Sequence, residues 1–127
     1  MSGIKYLLDT NIIIGLLNGN DACLKPINPI DLTNAAITQI TRIELLSFGH
    51  LGFEENQKIE NFIARIHTFS LDKDIEKTTI ELRKKHAIKL PDAIIAATAI
   101  TYDLELITLD QKLYKTWKVA FSSQSTK

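Results

Sequence analysis

Residues 92–102 read Asp-Ala-Ile-Ile-Ala-Ala-Thr-Ala-Ile-Thr-Tyr, a helical stretch preceded by Pro91 and apolar on almost every side. Proline suits the first helical position, where its missing N–H would lack a partner anyway. A helix with no polar stripe has no face to give to water, so this one must be buried. Its alanines let it pack close against another layer, and the rest of the chain must supply that layer.

Elsewhere, short apolar runs rich in branched residues alternate with longer segments of helical period. That alternation predicts an α/β sandwich, a central and mainly parallel β-sheet flanked by α-helices. Tyr6-Leu7-Leu8 is expected as the first strand, and Ile12 to Leu17 as a short apolar helix ending near Asn18-Gly19. Residues 19–33 carry Pro26 and Pro29 without clean periodicity and are expected to be loop. Ala35 to Ile40 forms the second strand, after which Thr41-Arg42-Ile43-Glu44 opens a helix that runs to about Phe48 and closes at Gly49.

Ile59, Phe62, Ile63 and Ile66 then mark one apolar helical face, and Thr68 to Leu71 the third strand. A helix starting near Asp72 carries Ile75, Thr79 and Leu82 on one side and ends in Arg83-Lys84-Lys85, where cations favour the helix dipole. Leu106-Ile107 is expected as the fourth strand and Val119-Ala120-Phe121 as a fifth. At 127 residues, with no internal repeat, the chain is expected to form a single domain over 1–127.

The lone cysteine, Cys23, rules out an intramolecular disulfide and suits a cytoplasmic protein. Asp9 and Asn11 interrupt the only apolar run near the N-terminus, where a signal peptide would need it unbroken. Fifteen basic and fifteen acidic residues leave a formal net charge of zero. Neutrality argues weakly against nucleic-acid binding but does not decide it, because bound ions can set the local field at a site.

In parallel α/β sheets the functional crevice lies outside the carboxyl ends of the strands. Asp9, Glu44, Asp72 and Asp110 each follow a strand, and Asp92 opens the buried helix. Each also has a plain structural reading. Asp9 and Asp72 could cap the helices that follow, Glu44 stands at capping-box spacing after Thr41, and the helix dipole alone would favour Asp92. Local reading leaves the five unresolved. If several converge beside a buried core, they repel one another unless a cation neutralises them, and a hard divalent ion is the natural partner.

Other chemistries find little support. His50, His67 and His86 are scattered and Cys23 has no partner, so zinc is not expected. Neither a G-x-S-x-G elbow nor a phosphate-cradling glycine loop is present. The run Arg83-Lys84-Lys85-His86 with Lys89 could touch phosphates, although such runs are more often solvated helix ends.

Four segments in order, Leu7-Leu8-Asp9-Thr10-Asn11, Thr41-Arg42-Ile43-Glu44-Leu45-Leu46, Asp92-Ala93-Ile94-Ile95-Ala96-Ala97-Thr98-Ala99 and Ile107-Thr108-Leu109-Asp110, resemble a PIN-domain ribonuclease. More narrowly, the chain is similar to the VapC-type toxin of a VapBC toxin–antitoxin system, over nearly its whole length. The resemblance implies that Asp9, Glu44, Asp92 and Asp110 form an acidic site holding one or two Mg²⁺ or Mn²⁺ ions. It leaves Asp72 as a cap and makes Asn11 and Thr108 polar supports. It implies hydrolysis of RNA, a homodimer and an inhibitory antitoxin, for which Phe48, Leu51 and Phe53 offer apolar contact. Leu113 and Tyr114 stand where many members carry an acid and a phenylalanine. The competing expectations are an inactive interaction scaffold, and an aspartyl phosphatase using Asp9, which usually wants an acid where Asn11 stands.

Overall fold

A computed structural model of the protein describes residues 3–27, 30–47 and 52–125. Four strands, β1 (Tyr6–Leu8), β2 (Ala35–Thr38), β3 (His67–Phe69) and β4 (Glu105–Ile107), pair in parallel in the order β3-β2-β1-β4. Seven α-helices flank them: α1 (Thr10–Leu17), α2 (Asp21–Ile27), α3 (Gln39–Leu46), α4 (Phe53–Ala64), α5 (Lys73–Lys85), α6 (Leu90–Thr101) and α7 (Gln111–Ser125). Among the described residues no helix is long and apolar enough to cross a membrane.

Successive side chains of a strand point to opposite faces, and the core divides on that period. Leu7, Ala36 and Leu106 join one cluster with α5, α6 and α7. Leu8, Ala35, Ile37 and Ile107 join the other, with residues of α1 to α4. Both faces of the sheet are therefore covered, which is why the two inner strands β1 and β2 are almost wholly apolar, while the edge strands carry exposed polar residues at His67 and Glu105. Helix α6 is the buried helix expected from its composition. Ala93, Ala96, Ala97 and Ala99 are fully buried, and Thr98 satisfies its hydroxyl by donating to the Ile94 carbonyl at 2.7 Å.

Several boundaries differ from the sequence expectations, each for a local reason. Residues 21–27 are helix α2, with Pro26 inside it; a short helix that buries only Cys23 and Ile27 shows no periodic face. Asn20 starts it by accepting the Ala22 N–H at 2.9 Å. Strand β2 ends at Thr38, whose hydroxyl caps α3 by accepting the Thr41 N–H at 3.0 Å. Thr41 is thus the capped residue and no capping box with Glu44 forms. Gly49 and Phe48, expected to end α3, lie outside the described residues, as does Pro29; the helix ends at Leu46. Ile66 falls just past α4 and is buried ahead of β3. The expected fifth strand, Val119-Ala120-Phe121, belongs to α7, where Leu113, Trp117 and Phe121 recur at helical spacing and Val119 is exposed.

Helices α1 and α2 meet at Gly15, where an added Cβ would overlap the Cys23 Sγ. Gly15→Ala should therefore destabilise the protein by about 1–3 kcal/mol, the usual cost of overpacking, despite alanine's better helix propensity. Urea denaturation measures this, and adding Cys23→Ala should recover part of the loss.

Candidate functional site

The acids that follow β1, β2 and β4 lie near one another at the carboxyl ends of the strands, beside the first turn of α6. Asp9 follows β1 directly and sits at the N-cap position of α1, yet its side chain does not cap that helix. Its Oδ2 accepts the Thr108 hydroxyl at 2.7 Å, while its backbone N–H donates to the Ile107 carbonyl at 3.0 Å. The residue is only 5% exposed. Burial pushes its pKa above the ordinary 3.8, the charges of Asp92 and Asp110 add to the rise, and the Thr108 and Thr10 hydrogen bonds oppose it.

Glu44 lies on the exposed side of α3, and its Oε1 accepts the Thr10 hydroxyl at 2.7 Å. Thr10 in turn pairs with Thr41 at 2.9 Å, and Thr38 donates to Thr41 at 3.3 Å. A line of three threonines thus ties the end of β2 and the start of α1 to the Glu44 carboxylate. Nothing in the local sequence marks these threonines, because the partners of Thr10 lie 31 and 34 residues away. Asn11 is exposed and lines a cleft of about 470 Å³ bounded also by Asp9, Thr10, Glu44 and Asp92.

Asp92 stands in the first turn of α6, half-buried. Its pKa is raised chiefly by burial and then by Asp110 and Glu44, against the lowering pull of Lys89 and Lys112. Asp110 is exposed and caps α7, its Oδ1 accepting the Leu113 N–H at 3.1 Å. Its own N–H donates to the Thr108 hydroxyl at 3.0 Å, so Thr108 bridges Asp9 and Asp110. Leu113 itself is buried in the core and Tyr114 packs its ring against Trp117, so neither offers an acid to the cleft.

Asp72 is separate from this group. It caps α5 through the Ile75 N–H at 2.8 Å and accepts the Tyr102 hydroxyl, which holds its pKa below the ordinary range. The basic run divides as well. Arg83 donates to the Ile88 carbonyl, Lys85 and His86 line a hollow between α5 and α7, and Lys89 lines a cavity beside Asp92.

Among the described residues no three His, Cys, Asp or Glu side chains form a ready cage for one ion. The donor set is nevertheless made of hard carboxylate oxygens whose charges act on one another across the cleft. Such an arrangement fits Mg²⁺ in kind, since that ion keeps several waters and is usually held by one or two carboxylates together with substrate phosphate.

A family model described as the PIN domain matches residues 6–118. Among solved structures, the chain is similar to a toxin–antitoxin complex from Klebsiella pneumoniae, with 32% identity, a TM-score of 0.77, and coverage of 87% of this chain and 90% of that one. It is 26% identical to a chain of VapBC-1 from nontypeable Haemophilus influenzae, with a TM-score of 0.73 and coverage of 91% and 94%. FitAcB from Neisseria gonorrhoeae matches at 26% identity and a TM-score of 0.71, covering 89% and 93%. None of the curated proteins compared with the chain matches it.

Proposed function

The chain belongs to the PIN domain family, and on that premise we propose that it is a metal-dependent endoribonuclease, one catalytic domain acting in the cytoplasm as the toxin of a toxin–antitoxin pair. The observation that carries the reading is the gathering of Asp9, Glu44 and Asp92 around one cleft at the carboxyl ends of parallel strands, with Asp110 beside it and its charge acting on both Asp9 and Asp92. Carboxylates gathered in this way without a cation only destabilise the fold, so their retention is best understood as provision for one.

Asp9, Glu44 and Asp92 would hold one Mg²⁺ or Mn²⁺, with Asp110 orienting the attacking water or holding a second ion. A divalent ion there would supply positive charge against the phosphate and the leaving oxygen and make water a better nucleophile near neutral pH. The protein's own share is geometry. Thr108 fixes one oxygen of Asp9 and the backbone of Asp110, and the threonine line fixes Glu44. The position of Asp92 is set by α6, which is packed too tightly to shift.

The similar structures from Klebsiella pneumoniae and Haemophilus influenzae are a toxin–antitoxin complex and VapBC-1, and this supports an antitoxin as partner. An apolar groove of about 230 Å³ bounded by Ile14, Leu17, Leu45 and Ile59 adjoins the acidic cleft through Ile14, and would suit a partner segment laid across both. Of the apolar contacts expected from sequence, Phe48 and Leu51 lie outside the described residues, whereas Phe53 is 83% exposed at the start of α4.

Cleavage of single-stranded RNA in Mg²⁺ or Mn²⁺, abolished by EDTA, tests the reading. Thr108→Val should reduce activity by roughly 10–100-fold, the usual cost of removing a hydrogen bond that orients a metal ligand. A purified protein that cuts no RNA with either ion would refute the proposal.

A further inference from the structure

The acidic cleft does not end at Asp92. On its far side a second cavity, about 250 Å³, is bounded by Asp92 and Asp110 together with Lys89, Lys112 and Thr116. Asp92 thus stands between two adjoining spaces, one acidic and one in which two acids are matched by two lysines. One is walled by Asp9, Glu44 and Asp92, the other by two lysines brought together from different elements, Lys89 at the N-cap of α6 and Lys112 in the first turn of α7. Both lysines are exposed.

Resting on the nuclease reading, we propose that the Lys89–Lys112 cavity is a phosphate subsite that holds the linkage next to the scissile one. An RNA strand presents one negative phosphate per nucleotide. The phosphate undergoing reaction is countered by the divalent charge at the carboxylates, whereas its neighbour, one step along, has no such ion and would face Asp92 and Asp110. Two ammonium groups beside those two acids cancel their charge, and any engagement of Asp92 and Asp110 with the ion would leave the lysines to meet the second phosphate. The strand is thereby held in register, and the acceptable substrate must carry a charged linkage on that side of the cut. Because lysine acts as a point charge, the subsite reads backbone and not base, and adds affinity without sequence preference.

Two other basic residues are otherwise engaged. Arg83 is engaged with the Ile88 carbonyl, and Lys118 lies over the Tyr114 and Trp117 rings at 5.6 and 5.9 Å from their centroids. Lys118 therefore serves as a control for general surface charge.

The test is fluorescence anisotropy with a labelled single-stranded RNA in Ca²⁺, repeated over a series of salt concentrations, with gels confirming that the RNA stays intact. Lys89→Ala and Lys112→Ala should each weaken binding by up to about tenfold and flatten the dependence of log affinity on log salt by about 0.7, as expected for one lost phosphate contact on a single strand. Lys112→Arg should retain the slope, and Lys118→Ala should leave both slope and affinity unchanged. In cleavage assays with Mg²⁺ the effect should fall on KM. An RNA with a neutral methylphosphonate one linkage from the cut, on one side only, should lose affinity for the wild type and none for the double lysine variant. Wild-type affinity and slope in both lysine variants, with RNA still cut, would overturn the subsite and leave the nuclease reading standing. Absence of binding and cleavage by the wild type would overturn both.

Discussion

Replacing Asp92 by asparagine should reduce RNA cleavage by more than ~100-fold, since even groups that only orient a metal ligand are worth 10–100-fold. The change keeps the size of the side chain and removes its charge. Because Asp92 is half-buried and carries the repulsion of Asp110 and Glu44 as well as the cost of burial, the folded protein should lose nothing in stability without metal. Activity and fold are thereby separated, and circular dichroism on the inactive variant checks the separation. Asp72→Asn supplies the contrast. Asp72 is bonded to Ile75 and Tyr102 away from the cleft, and asparagine caps a helix about as well as aspartate, so the change should cost little stability and leave most of the activity. Equal inactivation by the two substitutions would mean that the site has been misassigned.

Addition of Mg²⁺ or Mn²⁺ should raise the melting temperature markedly. An ion that binds the folded state alone stabilises it by about 2.7 kcal/mol at a hundred times its dissociation constant, on the order of 10 °C for a chain of this length. Without the ion, pH should act in the opposite direction to a salt-bridged carboxylate. Asp9 and Asp92 both have folded pKa values raised above 3.8, so the folded state binds their protons more tightly than the unfolded chain does. The stability this confers is complete below the ordinary carboxylate pKa and is lost as pH rises through the raised values. Melts in EDTA should therefore fall as pH is raised from about 4 toward neutrality through this contribution. Asp9→Asn should flatten that fall, be no less stable than the wild type in EDTA, and gain less from added ion. A wild-type melt unmoved by millimolar amounts of either metal would count against the ion site.

Much of the architecture was readable because it depends on short-range pattern. Tyr6-Leu7-Leu8 and Leu106-Ile107 are apolar throughout because both sheet faces are covered, and α6 is apolar all round because it is buried on every side. What escaped reading depends on context. Pro26 argued for loop because a proline past the first turn forgoes one backbone bond, and α2 has only Cys23 and Ile27 to signal a buried side. Val119 to Phe121 looked like a strand when taken as a triplet, whereas Leu113 and Trp117 show the helical period only over a longer window. The acids at Asp9, Glu44, Asp92 and Asp110 were visible as chain positions, and Thr108 as a support only through the family resemblance, because its hydrogen bond to Asp9 spans 99 residues; the line of Thr38, Thr41 and Thr10 behind Glu44 was not visible at all. Asp110 likewise gave no hint that it would cap α7, which was hidden once a strand was expected within that segment.

The burial of α6 bears on how such a protein could be kept silent. Amides in the middle of a helix enclosed on every side exchange with solvent only when the whole fold opens, whereas surface helices and chain ends open alone. Asp92 rides on one of the last elements to come apart, so partial melting of the periphery could loosen Glu44 or Asp110 but would leave Asp92 in place. In hydrogen-exchange terms, the most protected amides should lie one turn away from the chemistry. On the nuclease reading, silencing that leaves Asp92 in place would come from filling the cleft from outside, by a mask that can be removed, and release of the mask would return an α6 already folded, with no refolding of that helix between the signal and the first cut.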